Sequence, residues 1–324
     1  MKTSVLRRIQ LAFACACVVV SASAGGADYP VRSVRMIVPF VPGGGTDLLA
    51  RLIAPRFTEL LGQQIVVDNR AGAGSIVGTD LVAKAPADGY TLGLFDTAFA
   101  ILPALQDKLP YDSQRDFVFV AIIATSPTLL VVRPGLKVRT IQEFVALARA
   151  NPGKIRFASA GVGTSSHLNG EMLRAAAKIE YIHVPFKGAG QAIVDVMGGH
   201  TDFTWVVPGS VKQFLQAGTL VPLAVNRTSP NLPDVPTFAS VGLGAVDPSG
   251  FRFVAAPAAL PAPILKKLIA TLRAVMDTPD LQARLADNDF DLGTFMPYPE
   301  ARGYIEKQWA KWRAAVKSSG AKAN

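Results

Sequence analysis

The protein has 324 residues, of which half are hydrophobic and 18% are charged. This composition supplies enough apolar side chains for packed cores and excludes an intrinsically disordered chain. The formal net charge is +9, but the basic residues are dispersed, which excludes a basic stripe for nucleic-acid binding.

The first 24 residues have the pattern of a secretory signal peptide. Three basic residues precede the apolar run 9–20, and the small residues "ASA" end at Ala24. The run is too short to span a bilayer; an uncleaved anchor and a lipoprotein are the alternatives, and Cys15 and Cys17 lack a leucine-led lipobox. We expect cleavage near Ala24 and a periplasmic mature protein without cysteines. Its net charge falls from +9 to +6, because Lys2, Arg7 and Arg8 leave with the signal.

Strand and helix patterns alternate through the next hundred residues. Strands are predicted at 34–40, 64–69 and 89–96, and helices from Thr46 to Gly62 and after the glycine-rich turn at 72–78. Pro55 is expected to kink or restart the first helix. This order is typical of a parallel sheet flanked by helices.

The same alternation returns between residues 140 and 225. Thr140 and Glu143 form a predicted capping box, and helices at 164–178, 189–199 and 210–218 alternate with strands at 154–161, 180–186, 200–207 and 220–225. Helices follow at 263–276 and 280–288. A last amphipathic helix places Trp309 and Trp312 on one side, which favours core packing over an aromatic binding site.

Two repeats of one α/β pattern predict two lobes with a cleft between them. We assign residues 25–123 plus 228–324 to lobe 1 and residues 124–227 to lobe 2. Each lobe is expected to hold a mainly parallel sheet flanked by helices. The chain has no low-complexity linker, so the lobes should pack closely.

Two glycine-rich turns between a strand and a helix are the candidate ligand-binding loops. They are "PGGGTD" at 42–47 and "SAGVGTSSH" at 159–167. Open α/β sheets bind ligands beyond the carboxyl ends of their strands, and a helix N-terminus favours a carboxylate or phosphate. The alternative is that these turns only reverse the chain.

Nucleotide binding and catalysis find little support. "GGGTD" lacks the Lys-Ser/Thr of a phosphate loop, and "GAGSIVG" at 72–78 only partly matches a dinucleotide motif. No pair of histidines has zinc-binding spacing, and no G-x-S-x-G motif is present. We therefore expect no enzyme activity, catalytic residue, metal or cofactor.

Four polar side chains near these turns have alternative roles. Asp47 is favoured as a helix cap or loop anchor over a ligand contact, and His167 as a helix-start residue near the cleft. Asp202 either faces the cleft or supports its strand. Asp96 ends the third strand, where an unpaired carboxylate would repel a dianion and attract an amine or hydroxyl group.

Ordered motifs along the whole mature chain resemble the extracytoplasmic receptors of tripartite tricarboxylate transporters, known as Bug-type receptors. They include "IVPFVPGGGTDLLARLIA", "VVDNRAGAGSIVGTDLVAKAPADGYTL", "NPGKIRFASAGVGTSSHLNGEML" and "HVPFKGAGQAIVDVMGGHTDFTW". The resemblance implies a two-lobed periplasmic binding protein fold of type II-like α/β class. It also implies a small ligand, often a carboxylate, delivery to membrane transporter subunits, and a monomer.

The resemblance further implies that the two loops grip a carboxylate, largely through backbone N–H groups and bridging waters. The positions that match are Gly43, Gly44, Gly45, Thr46 and Asp47 in lobe 1 and Gly161, Gly163, Thr164, Ser165, His167 and Asp202 in lobe 2. Asp96 departs from the family pattern, which has small residues there. It leaves open an amino acid, a nicotinate-like ring or a neutral amide as ligand, and an orphan sensor role instead of uptake remains an alternative.

Overall fold

Two β-sheets flanked by helices organise the chain. The structure is a computed structural model that describes residues 29–246, 250–291 and 293–322. The predicted signal peptide therefore lies outside the described residues. Within these ranges, no helix is both long and apolar enough to cross a membrane.

The described residues contain eleven strands in two sheets. The strands are β1 (Val34–Val38), β2 (Ile65–Asn69), β3 (Thr91–Asp96), β4 (Phe117–Ser126), β5 (Leu129–Val132), β6 (Arg156–Ser159), β7 (Ile182–Pro185), β8 (Phe203–Val206), β9 (Val221–Val225), β10 (Gly250–Pro257) and β11 (Met296–Pro297). The first sheet has the order β11-β4-β10-β3-β1-β2, and the second has the order β7-β6-β8-β5-β9.

Helices cover the faces of both sheets. They are α1 (Gly45–Leu61), α2 (Ile76–Ala83), α3 (Ala98–Leu105), α4 (Ile141–Ala150), α5 (Ser165–Ala177), α6 (Ala189–Met197), α7 (Lys212–Gln216), α8 (Ala262–Met276), α9 (Pro279–Asp287) and α10 (Glu300–Ser319). The capping box at the start of α4 is confirmed. Pro55 lies inside α1, which runs unbroken from Gly45 to Leu61, so of the two expectations, a kink or a restart, the restart is excluded.

Both sheets are mixed, whereas the sequence predicted mainly parallel ones. Strands β1, β2 and β3 pair in parallel, and so do β6, β7 and β8. The other pairs, which involve β4, β5, β9, β10 and β11, are antiparallel. Strands β4 and β5 follow each other in different sheets, as do β9 and β10. The chain thus passes twice between the sheets. The strands before and after each passage, β4, β5, β9 and β10, pair antiparallel with their neighbours.

Aromatic side chains bind the C-terminal helix to the first sheet. Phe99 of α3 lies 5.3 Å from Phe253 of β10 and 6.3 Å from Trp309 of α10, measured between ring centroids. Trp309 and Trp312 are both buried, which confirms the predicted core packing of the last helix. Helix α3 and strand β10, which the sequence pattern did not predict, therefore form the centre of this core.

Candidate functional site

One cleft lies between the two sheets, beyond the carboxyl ends of strands from both. Its cavity has a volume of about 60 Å³, less than the roughly 150 Å³ of an engineered cavity that holds benzene. The lining residues are Phe40, Gly44, Gly45, Thr46, Asp47, Asp96, Thr97, Thr128, Ala160, Thr164, Ser165, Ser166, Ala189, Trp205, Val206, Val207, Gly250 and Arg252. The cleft thus lies where open α/β sheets bind ligands, and it suits a small ligand.

Four helices begin at this cleft. They are α1 at Gly45, α3 at Ala98, α5 at Ser165 and α6 at Ala189. The first N–H groups of a helix have no intrahelical acceptor, and each N-terminus carries a partial positive charge of about half a unit. The backbone N–H groups and helix dipoles alone therefore make the cleft favourable for an anion.

The loop before α1 is held by a buried carboxylate. Asp47 Oδ2 accepts from Gly43 N at 3.0 Å and from Arg51 Nε at 2.9 Å, and its Oδ1 accepts from Asn69 Nδ2 at 3.0 Å. Removal from water alone would raise the pKa of Asp47, but the hydrogen bonds from Arg51, Gly43 and Asn69 hold it below its ordinary value. Asp47 is therefore an ionised anchor for the loop. Gly43 is not among the lining residues and adopts a left-handed φ of 92°.

The loop before α5 is held by hydroxyl groups. Thr164 caps the helix, since its Oγ1 accepts from His167 N at 3.4 Å and donates to Gly161 O at 2.6 Å. Ser166 Oγ accepts from Ala160 N at 2.8 Å. Thr164 and Ser165 line the cleft, whereas Gly161 and Gly163 are not among the lining residues.

A pair of histidine rings lies behind this second loop. His167 and His183 stack with ring centroids 4.6 Å apart. His167 Nδ1 accepts from Gly163 N at 3.4 Å, and His183 Nε2 lies 2.6 Å from Ser159 Oγ. Burial lowers the pKa of both rings to about 4. The neighbouring His183 and the Arg174 charge lower the pKa of His167 further, and the Arg174 charge also lowers that of His183. The pair is neutral near pH 7 and supports the loop from outside the cavity lining.

Asp96 lies in the cleft wall with its carboxylate already bonded. Oδ1 accepts from Ala98 N at 2.9 Å, at the start of α3, and Oδ2 accepts from Thr46 Oγ1 at 3.1 Å. Removal from water raises the pKa of Asp96, although the Arg252 charge and these two hydrogen bonds lower it. The acid therefore caps one helix and fixes the first residues of another.

Arg252 is the cleft residue that the sequence analysis missed. It is the register partner of Asp96 across β3 and β10, and only 6% of it is exposed. Nη1 donates to Ser126 Oγ at 2.7 Å. Burial lowers the pKa of Arg252 to about 10, against the opposing effect of Asp96, so the guanidinium remains charged near pH 7. A lone arginine inside the apolar run "GFRFVAAP" is the signal that could have revealed it, because a buried charge requires a partner.

Asp202 lies outside the cavity lining. Its Oδ1 forms an ion pair with Arg133 at 2.8 Å, and its Oδ2 accepts from Arg156 N at 2.7 Å. These bonds join the start of β8 to β5 and β6. The carboxylate is therefore engaged within the second lobe.

The lobes touch through glycines on either side of the cleft. A Cβ built on Gly190 would lie 2.0 Å from Pro42 O, and one built on Gly74 would lie 2.0 Å from Val162 O. Val41 N also donates to Lys187 O at 3.4 Å. Such approaches are possible only without a side chain, so these glycines allow the lobes to close over the cavity.

The cleft has groups for binding an anion. In the part of the chain that the structure describes, no cluster of three or more His, Cys, Asp or Glu side chains could hold a metal ion. Trp205, Val206 and Val207 add apolar surface to the lining, and Val207 packs against Gly45 of the first loop. Helix N-termini and one guanidinium beside an apolar wall suit a small organic anion.

Comparisons with known proteins agree with this arrangement. The family model "Tripartite tricarboxylate transporter family receptor" matches residues 49–321. The chain is 34% identical to Protein BugT of Bordetella pertussis over 309 residues, which cover 94% of each chain.

Two solved structures show the same fold with a ligand. The structure of R. palustris Rpa4515 with adipate has 31% sequence identity and a TM-score of 0.86, and the match covers 90% of this chain and 99% of that one. The structure of MatC from Rhodopseudomonas palustris with bound malate has 30% identity and a TM-score of 0.82, with coverage of 89% and 100%. The chain has the two-lobed periplasmic binding protein fold and belongs to the tripartite tricarboxylate transporter receptor family.

Proposed function

We propose that the protein is a periplasmic receptor that captures a small organic carboxylate between its lobes and delivers it to the membrane subunits of a tripartite tricarboxylate-type transporter. The observation that carries this proposal is the convergence of helix N-termini from both lobes on one small cavity. The family supports a receptor role without catalysis, and the signal-peptide pattern supports export.

The charges around the cavity support an anionic ligand. Asp47 is compensated by Arg51, and Asp96 by Arg252 and the N-terminus of α3. The N-termini of α1, α5 and α6 are left for the ligand. A carboxylate there receives backbone N–H bonds and favourable dipole interactions in a site largely closed to water.

The ligands of two relatives support the carboxylate class. Adipate and malate are both dicarboxylates, and they are bound by proteins whose folds match this chain over most of its length. The sequence analysis left amino acids, nicotinate-like rings and neutral amides open. The helix N-termini favour an anion over a neutral amide, and the compensation of Asp96 by Arg252 weakens the attraction that this acid would exert on an amine.

Ligand capture and closure are coupled in this proposal. A carboxylate that accepts from Gly45 N on one lobe and from Ser165 N on the other joins the lobes, which stabilises the closed state. The membrane subunits would recognise that closed form. The glycine contacts between the lobes set how far closure proceeds.

A thermal-shift screen tests ligand capture. The panel contains mono-, di- and tricarboxylates, aromatic acids, amino acids and neutral amides. A ligand at a hundredfold excess over its Kd adds about 2.7 kcal/mol of stability, so binding of an aliphatic acid should raise the melting temperature clearly. Stabilisation by amides or amines alone would contradict the proposal.

Delivery needs its own experiment. Uptake of a radiolabelled acid identified in the screen should be lost in a strain without the receptor gene and return with the wild-type gene. Unchanged uptake in the deletion strain would contradict a transport role and favour the alternative of an orphan sensor.

A further inference from the structure

Arg252 carries hydrogen-bond donors that the protein does not use. The residue is 6% exposed and lines the cleft. Nη1 donates to Ser126 Oγ, whereas Nε has no partner among the described residues. Nη2 lies 3.0 Å from a Cβ built on Gly45, so this edge of the guanidinium faces the start of α1. A charged group removed from water with unused donors is unfavourable until an acceptor arrives.

Asp96 attracts an amine less strongly than a free carboxylate would. Both carboxylate oxygens already accept hydrogen bonds, from Ala98 N and from Thr46 Oγ1. Its negative charge is also compensated by Arg252 on the neighbouring strand. An ammonium group that entered the cleft would face several helix N-termini, which repel it, beside an acid whose charge Arg252 already compensates.

We propose that Arg252 determines specificity by binding a second anionic group of the ligand, so that the protein prefers aliphatic dicarboxylates to monocarboxylates and ω-amino acids of the same length. This inference rests on the proposed capture of a carboxylate in the cleft. Asp96 compensates the guanidinium charge and does not select an amine.

The two carboxylates of a dicarboxylate can bind different groups of the protein, because each carboxylate brings its own acceptors. One carboxylate has two oxygens, and the loops that begin α1 and α5 already offer donors from both lobes. Arg252 lies on a different element, β10, beside Ser126 at the passage between the sheets. A second carboxylate at the other end of the ligand supplies the acceptor that Arg252 lacks, and a guanidinium binds it through charge-assisted bonds.

Calorimetric titration with matched probes tests this inference. The six-carbon set is adipate, hexanoate and 6-aminohexanoate, and the four-carbon set is succinate, butyrate and 4-aminobutyrate. In wild-type protein, the dicarboxylate of at least one set should bind ten- to a hundredfold more tightly than its monocarboxylate. The amino acid of that set should bind no better than the monocarboxylate.

Arg252→Met should abolish this preference, because dicarboxylate affinity should fall at least tenfold more than monocarboxylate affinity. Arg302→Met is the matched control, because Arg302 pairs with Glu306 on the exposed face of α10, and this variant should keep the preference. Equal weakening of mono- and dicarboxylates in Arg252→Met would overturn the inference, since Arg252 would then serve the same carboxylate as the loops. Tighter binding of an amino-acid probe in wild type would overturn it as well.

Two further variants keep the test decisive if Arg252→Met does not fold. Asp96→Asn combined with Arg252→Met removes both charges and avoids an uncompensated buried acid, and it should also lose the dicarboxylate preference. Arg252→Lys keeps the charge but loses the planar guanidinium that binds a carboxylate through two N–H groups. The preference of this variant for dicarboxylates should therefore lie between those of wild type and Arg252→Met. Failure of all probes to bind wild-type protein would instead count against the proposed function itself.

Discussion

Asp96 and Arg252 are register partners on the antiparallel strands β3 and β10, and together they form the charged wall of the cleft. Arg252 therefore compensates the charge of Asp96, the acid that was expected to repel a dianion if it were unpaired. Asp96→Asn removes the negative charge but retains an acceptor. We therefore expect a dicarboxylate such as adipate or succinate to bind several-fold more tightly, because Asp96 no longer partly neutralises the Arg252 charge.

Calorimetry of Asp96→Asn with the same six-carbon and four-carbon probes measures this change. The affinity for the amino acids should not fall below that of wild type. A loss of amino-acid binding would show that Asp96 selects an amine, and unchanged affinity for every probe would place Asp96 outside the site.

The glycine contact between the lobes predicts a variant that cannot close. In Gly190→Ala, the new methyl group meets Pro42 O at 2.0 Å, so we expect at least a tenfold loss of ligand affinity and no ligand-induced compaction in small-angle X-ray scattering. Gly303→Ala is the control, since its added methyl group lies in open space on α10 and should leave both readouts unchanged. Normal compaction in Gly190→Ala would show that closure does not use this contact.

The buried histidine pair predicts a pH dependence of stability. The pKa of both rings is about 4 in the folded protein and about 6.5 in an unfolded chain. Between these values the unfolded chain binds protons that the folded rings do not, so the free energy of unfolding should fall as pH decreases from about 6.5 to 4. For the buried ring of His167 the loss is on the order of 3 kcal/mol.

Urea unfolding between pH 4 and pH 7.5 checks this slope. His183→Gln should flatten it, because one titrating ring and the repulsion between two protonated rings are removed. His200→Gln changes an exposed histidine and should leave the slope intact. Equal slopes in all three proteins would assign the pH dependence to titrating groups other than the histidine pair.

A substitution of Asp202 distinguishes a structural role of its carboxylate from contact with the ligand. Asp202→Asn weakens the ion pair with Arg133 and should lower the free energy of unfolding by about 1–2 kcal/mol. Because the carboxylate lies outside the cavity lining, the Kd for a bound carboxylate should stay within about twofold of wild type. A tenfold change in Kd with unchanged stability would reverse this assignment.

The sequence predicted those parts of the site that depend on local pattern. Glycine, a following threonine and a helical repeat identify the two loops without knowledge of the fold. The partner of Asp96 could not be identified in this way, because Arg252 is brought beside it only when β10 inserts between β3 and β4. The mixed sheets were missed for the same reason, since strand direction at the passages between lobes depends on long-range pairing. Asp202 has a partner, Arg133, that is likewise distant in the chain.

A crystal structure with adipate or succinate bound tests the central claim most directly. We predict one carboxylate within hydrogen-bond distance of backbone N–H groups at the starts of α1 and α5, and a second carboxylate on Arg252. A ligand bound outside this cleft, or one whose carboxylates contact neither loop, would contradict the account.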